Sequence, residues 1–227
     1  MSELMQRRPE PELMNDQAQV VAYAQADFNA GDQVLIEQLE PLLANRGSKL
    51  KIVDLGCGPG NITLRLADQW SDAEVIGIDG SAAMLSFARK RAEAQGRLTR
   101  FLEASIQQLI TTTLPVALAS ADVIVSNSVL HHLHDPQQFW RLVCLLGSPG
   151  TVVLHRDLRR PESEQQLNAL QQRYLPEAPI CLIDDYRASL RAAFTVDEVQ
   201  SQLQLLGLEQ LVVQEEDDRY LSVMGVL

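Results

Sequence analysis

The stretch KLKIVDLGCGPGN, residues 49–61, constrains this chain more than any other. A short apolar run ends close behind an acid, Asp54, and passes into three glycines in five positions, Gly56, Gly58 and Gly60. Glycines there let the chain turn tightly and let a ligand lie against backbone, because no Cβ stands in the way. The segment that follows, NITLRLADQW (61–70), has helical spacing. A strand, a glycine turn and a helix in that order begin an open α/β sheet, in which ligands bind beyond the carboxyl ends of the strands.

The same rhythm continues downstream. AEVIGID (73–79), LTRFLEA (98–104), ADVIVSN (121–127) and GTVVLHRD (150–157) read as further strands. Helices fall between them at SAAMLSFARKRAEAQ (81–95), capped by Ser81, and DPQQFWRLVCLLG (135–147). The tail LEQLVVQEEDDRYLSVMGVL gives two strands around an acidic turn at Glu215–Asp218. The expected fold is therefore α/β: a doubly wound, mostly parallel seven-stranded sheet with a C-terminal antiparallel β-hairpin and an N-terminal helical cap. A single domain of 227 residues is expected. Its cap spans 1–48, with helices over 15–29 and 32–45 separated at Gly31 and the second capped by Asp32. The core is 49–157, a helical insertion or lid is 158–194, and 195–227 holds the last helix and the hairpin. Thr195 and Glu198 have capping-box spacing.

Composition narrows the partners. Hydrophobic residues are 46% and charged residues 22%, as in ordinary globular domains. A net charge of −11 disfavours a nucleic-acid groove, which needs clustered Lys and Arg. No apolar run approaches the ~20 residues of a membrane helix. The N-terminus MSELMQRRPEPEL lacks an apolar signal core. Cys57, Cys144 and Cys181 show no metal or redox spacing. A cytoplasmic protein without nucleic-acid or membrane partners is expected.

The glycine loop alone admits several nucleotides. Asp79, ending the second strand, can accept from both hydroxyls of a ribose, which points to an adenosine-type ligand. The spacing is G-x-G-x-G rather than the dinucleotide G-x-G-x-x-G, and G-K-[ST] is absent, which removes a P-loop. Pro59 deletes one amide that a pyrophosphate would use, and Asp54 would repel phosphates. A cationic ligand reverses that sign: an ammonium or sulfonium is welcome beside a carboxylate.

VDLGCGPGN together with VIGIDGSAAML resembles the class I S-adenosylmethionine-dependent methyltransferases, in particular their small type 11 branch. The resemblance runs from about Lys51 to Asp157 and into the terminal hairpin. SNSVLHHLHDP (126–136) is similar to that branch's fourth-strand motif, and RRPEPELMNDQAQVVAYAQADF to the N-terminal cap of bacterial members. The resemblance implies that Gly56, Gly58 and Gly60 line the methionine part of S-adenosylmethionine, with Asp54 at its ammonium. It implies Asp79 on the ribose, Gly80 and Met84 beside the adenine or ribose, and Asn127 at the methionine end. Many relatives place an acid after the third strand to hold the adenine; Ser105 stands there instead, so the backbone of Ser105 and Ile106 is expected to serve. Cys57 sits in the same loop as a small packing residue.

The implied activity is methyl transfer to a small-molecule acceptor at O, N or C. Alternatives are a peptide or protein side chain as acceptor, or a cofactor-binding protein without transferase activity. His131 and His132 follow the fourth strand, where imidazole can orient an acceptor or take its proton. Arg156, Arg159 and Arg160 follow the fifth and are candidates for pairing an anionic acceptor, or for pairing internally with Asp157, Glu162 or Glu164. Tyr23, Phe28, Tyr174 and Tyr186 are candidates for a lid, with Tyr23 reaching substrate. His131, His134 and Asp135 could approach metal spacing, but His-Asp-Pro breaks the helix, and no metal is expected.

Overall fold

The computed structural model describes residues 5–14 and 16–227. Two helices, α1 (Gln17–Gln25) and α2 (Asn29–Leu43), lead into β1 (Lys51–Leu55), α3 (Asn61–Gln69), β2 (Glu74–Asp79), α4 (Ala82–Ala94) and β3 (Arg100–Glu103). The second half comprises α5 (Ile106–Thr111), β4 (Val123–Asn127), α6 (Gln137–Leu146), β5 (Val152–Leu158), α7 (Glu164–Tyr174), α8 (Ile180–Ala192), α9 (Val196–Gln204), β6 (Val212–Glu215) and β7 (Tyr220–Val226). They form one seven-stranded sheet in the order β3-β2-β1-β4-β5-β7-β6. β1 to β5 pair in parallel, and β7 runs antiparallel to both β5 and β6. The doubly wound sheet with its terminal hairpin is the expected one. The order reverses at β1, between β2 and β4, and a crevice opens there at the carboxyl ends.

Strand periodicity explains both faces. Along β4 and β5, Val123, Val125, Val152 and Leu154 point to one side, against Leu35, Ile36, Leu39 and Leu43 of α2 and Ile62 and Leu66 of α3. Ile124 and Val153 point to the other, against Phe139 and Trp140 of α6 and Val199 and Leu203 of α9. Trp140 buries its indole and donates Nε1–H to Gln202 Oε1 at 3.0 Å, so the polar atom of the largest core side chain is satisfied. A third cluster, Leu158, Leu167, Leu170, Leu190 and Ala193, holds α7 and α8 together above the sheet edge.

Local signals decide most helix ends. Ser81 Oγ accepts from Met84 N, and the Thr195–Glu198 capping box closes reciprocally, both as expected. The N-terminal pair differs from expectation. The chain breaks at Ala26–Phe28, and Gly31 lies inside the first turn of α2. Asp32 does not cap α2; it sits in the first turn and is buried. The short helix α5 was not foreseen, yet Ser105 and Gln108 form a complete capping box at its start.

Residues 5–14 run as an extended strap over the molecule. Met5 N donates to Glu162 O at 3.2 Å, Arg8 N to Arg191 O at 2.9 Å, and Ser81 Oγ to Met14 O at 3.0 Å. Among the described residues no helix is long and apolar enough to cross a membrane.

Candidate active site

Beyond the carboxyl ends of β1, β2, β4 and β5 lies a cavity of about 690 Å³, within the usual range of small-molecule sites. Its walls come from the strap, the α1–α2 junction, the glycine loop, the turn after β4, and α7–α8.

The glycine loop supplies the floor. Gly56 (φ 69) lies so close to Val129 that an added Cβ would meet Cγ2 at 2.2 Å. Gly58 (φ 52) has open space at its missing Cβ and lines the cavity. Gly60 (φ 85) differs from expectation: it does not line the cavity, and its Cα backs onto Ala88 of α4 at 3.0 Å from the would-be Cβ. Its role is to let α3 start in the left-handed conformation against α4. Cys57 is buried, and burial pushes its thiol well up, which suits a packing role.

Three carboxylates face this end. Asp79 Oδ2 accepts from Gly58 N at 2.8 Å and Oδ1 from Ser81 N at 2.7 Å, which pins the loop to β2 and leaves lone pairs on both oxygens. Burial raises the Asp79 carboxyl above its ordinary value despite these bonds. Asp54 Oδ2 accepts from Thr63 Oγ1 at 2.6 Å, and burial pushes its carboxyl to about 7. Asp32 is pushed to about 6, again by burial, with Arg65 pulling the other way. Gly80, Met84, Ser105 and Ile106 line the neighbouring wall. Ser105 spends its hydroxyl on the α5 cap, leaving backbone to face the cavity. Leu13 of the strap covers Gly80, where an added Cβ would meet its Cδ2 at 2.7 Å.

The turn after β4 makes the opposite wall. Asn127 lines it with a buried, unpartnered Oδ1, and Ser128 holds a left-handed φ of 58. Asp157 organises this turn: Oδ2 accepts from Val129 N at 3.1 Å and His131 N at 3.2 Å, while Oδ1 binds His131 Nδ1 and accepts from Leu158 N at 2.7 Å. Burial alone would raise its carboxyl, but His131, His155 and His132 hold it at about 2. His131 is itself raised, burial being outweighed by Asp157 and Glu10. Burial and the neighbouring His131 charge press His132 down to about 3. Of the two roles the sequence left open here, orienting an acceptor or taking its proton, this downward shift favours orientation at His132.

The arginines after β5 separate. Arg156 is buried, donates Nε–H to Glu216 Oε1 at 2.7 Å and stacks over the Tyr220 ring at 3.5 Å. Its Nη1 is buried without a partner on the cavity wall, 3.9 Å from where a Gly31 Cβ would stand. Arg159 takes the internal alternative rather than the acceptor one, with a different acid: it pairs with Glu215 on the hairpin at 3.4 Å and does not line the cavity. Arg160 pairs with Glu198 at 2.6 Å. None of the three takes Asp157. Tyr23 does line the cavity, and burial pushes its phenol up, so it stays a donor.

Residues 46–209 match the sequence model of a family described as "Methyltransferase domain". The chain belongs to this methyltransferase family. Its fold is that of the class I S-adenosylmethionine-dependent enzymes, with S-adenosylmethionine as cofactor. Over 105 residues it is 52% identical to a trans-aconitate 2-methyltransferase of Rhodopseudomonas palustris (strain HaA2), covering 46% of this chain and 37% of the relative. A trans-aconitate 2-methyltransferase of Escherichia coli is 38% identical over 106 residues, covering 45% and 37%. The match thus spans well under half the length of these relatives. In structure, a SAM-dependent methyltransferase from Aquifex aeolicus superposes with a TM-score of 0.63 at 16% identity, over 93% of this chain and 98% of that one. The plantazolicin methyltransferase BpumL, in complex with a triazolic desmethylPZN analog and SAH, does so at 0.69 and 13%, over 93% and 92%.

The cavity suits that cofactor. Asp32, Asp54 and Asp79 line it as buried carboxylates whose ionised forms a cationic ligand would stabilise, and the Cβ-free face of Gly58 gives a smooth floor. Thr63, Glu10 and Arg219 escaped the sequence reading, as did the place of Asp32 on the cavity wall. Thr63 carried a signal, since a hydroxyl two residues into the helix after the loop can reach back to the strand acid. Glu10 and Arg219 carried none, because only folding brings the strap and hairpin to the cavity.

Proposed function

We propose that this methyltransferase transfers the S-adenosylmethionine methyl group to a small acceptor bearing a carboxylate, held in the cavity beyond the strand ends. The observation that carries this reading is Arg156 Nη1, a buried guanidinium nitrogen without a partner on the cavity wall. An unpaired buried donor of that charge is costly unless a ligand completes it. The named relatives act on trans-aconitate, a polycarboxylate, which is consistent with such a pocket. Tyr174, Pro179, Leu182 and Tyr186 roof the cavity as a lid, which favours a small acceptor over a peptide.

When bound, the sulfonium supplies an electrophilic methyl and a good leaving group. The chain's own contribution is to bind and orient. Asp79 takes the ribose hydroxyls, and the backbone of Ser105 and Ile106 meets the adenine. Asp54 and Asp32 receive the ammonium, with Gly56 and Gly58 beneath the methionine. Arg156 and the Tyr23 hydroxyl fix the acceptor. His132, being neutral, donates or accepts a single orienting hydrogen bond. In-line displacement gains most of its rate from such positioning.

The test is incubation with methyl-labelled S-adenosylmethionine against a panel of di- and tricarboxylates and a metabolite extract, read by mass spectrometry. A labelled small carboxylate is expected, and Arg156→Gln should raise its KM at least about tenfold while cofactor affinity holds. Label found only on peptides or on an uncharged acceptor would overturn the reading.

A further inference from the structure

The strap and the turn after β4 meet in a cluster that cofactor binding does not use. Glu10 Oε1 lies 3.5 Å from His131 Nε2 and 3.2 Å from His132 Nδ1. All three donor atoms fall within 4.8 Å of one another. We propose that Glu10, His131 and His132 form a site for a divalent transition-metal ion, zinc being the best match, on the wall of the acceptor cavity.

Donor spacing is the first support. Two ligands about 2.1 Å from one tetrahedral ion stand about 3.4 Å apart, which is the separation Glu10 keeps from each imidazole. The second is the state of His132: its buried Nδ1 makes no hydrogen bond although the Glu10 oxygen is near enough for one. Nδ1 is thus not committed to a neighbouring group. The third support is the outer ring of contacts. Asp157 binds His131 Nδ1, which fixes the tautomer and leaves Nε2 free, the arrangement of a carboxylate–histidine–metal triad. Ser189 donates to Glu10 Oε1 at 3.0 Å and steadies it. Arg7 clamps the backbone of the same turn through the carbonyls of His131 and Leu133, each at 2.9 Å.

The chemistry is balanced. Glu10 and Asp157 offset the two charges of the ion. Imidazole and carboxylate donors suit zinc or iron(II) better than magnesium or calcium, which prefer all-oxygen sites. This departs from the expectation of no metal, and the set is distinct from the His131, His134 and Asp135 grouping that the sequence disfavoured: His134 is exposed and spends Nε2 on Glu10 O, and Asp135 Oδ1 accepts from Gln137 N at 3.1 Å. Three protein ligands leave a fourth position open, and both histidines line the cavity. That position would take an acceptor oxygen, a step that rests on the carboxylate reading above; metal binding itself does not. The ion would also fasten the strap across the cavity.

The test uses the full chain stripped by a chelator, titrated with Zn²⁺ alone by calorimetry and with Co²⁺ by visible absorption. One tight equivalent and intense tetrahedral Co²⁺ bands are expected. Glu10→Gln and His132→Ala should each weaken Zn²⁺ at least about 100-fold, Asp157→Asn about 10- to 100-fold, and His134→Ala not at all. If His132→Ala fails to fold, Glu10→Gln, in the extended strap, carries the comparison. No tight equivalent, or one that survives Glu10→Gln, would overturn the site. Cofactor titration of the same samples keeps the two readings apart: S-adenosylmethionine binding without Zn²⁺ binding sinks only the metal.

Discussion

Most of the cofactor end of the cavity comes from one stretch of chain, β1 through the start of α4, in which Asp54, Gly58 and Asp79 are set by strand ends and a tight loop, with Asp32 of α2 and Ser105 and Ile106 at the start of α5 joining it. The acceptor end gathers Tyr23 from α1, His131 from the turn after β4, Arg156 from β5 and Arg219 from the hairpin, under the strap and α8. At the first end, local geometry fixes the groups. At the second, buried charge pairs do, Asp157 with His131 and Arg156 with Glu216. A local site tolerates loss of distant contacts, whereas an assembled one fails when its organising charge is removed.

That contrast is open to attack. The largest effect is expected from Asp157→Ala, which strips three backbone amides and an imidazole of their buried acceptor. Urea unfolding should show a loss of about 3–5 kcal/mol. A loss under 1 kcal/mol would mean the acceptor wall does not depend on it.

Asp54 makes the cofactor end pH-sensitive. Its folded carboxyl, near 7, stands above the ordinary 3.8 because of burial, so ionisation costs more folded than unfolded. The stability it contributes is full below about pH 4 and is lost as pH rises through about 7, by at most about 4 kcal/mol. Thermal melts of the cofactor-free protein should therefore fall over that range, and Asp54→Asn should flatten the fall. Saturating S-adenosylmethionine should do the same if its ammonium meets Asp54.

Asp79→Ala is expected to weaken S-adenosylmethionine about 100-fold by calorimetry, since two hydroxyl contacts and the pinned Gly58 amide go together. Unchanged affinity would displace the ribose from β2. The smallest effect belongs to the strap: Leu13→Ala should speed cofactor release about fivefold in stopped flow, by uncovering Gly80. A larger change there than at Asp79 would reverse the comparison.

The sequence showed the cofactor end well. Strand alternation in VDL and VIGID, the capping signal at Ser81 and the charge of Asp54 all lie within reach of their neighbours. Gly60 was read as cavity-lining because spacing alone cannot tell a glycine that faces a ligand from one that lets α4 approach. For Arg159 the sequence left an acceptor and an internal acid both open: it lies just past the end of a strand, and only the fold brings the hairpin's Glu215 to it. At His132 the sequence left orientation and proton transfer both open, because its burial beside His131 is invisible there.

Periodicity, turn chemistry and the sign of charge in a short loop are local properties, so the chain by itself determined an open α/β sheet with a site for a cationic adenosine ligand. Burial and long-range pairing are properties of the folded whole. Only the tertiary structure decided which histidine is neutral, which arginine keeps a free nitrogen, and that Glu10 stands opposite His131, because desolvation and Coulomb energy depend on what the fold brings within a few ångströms.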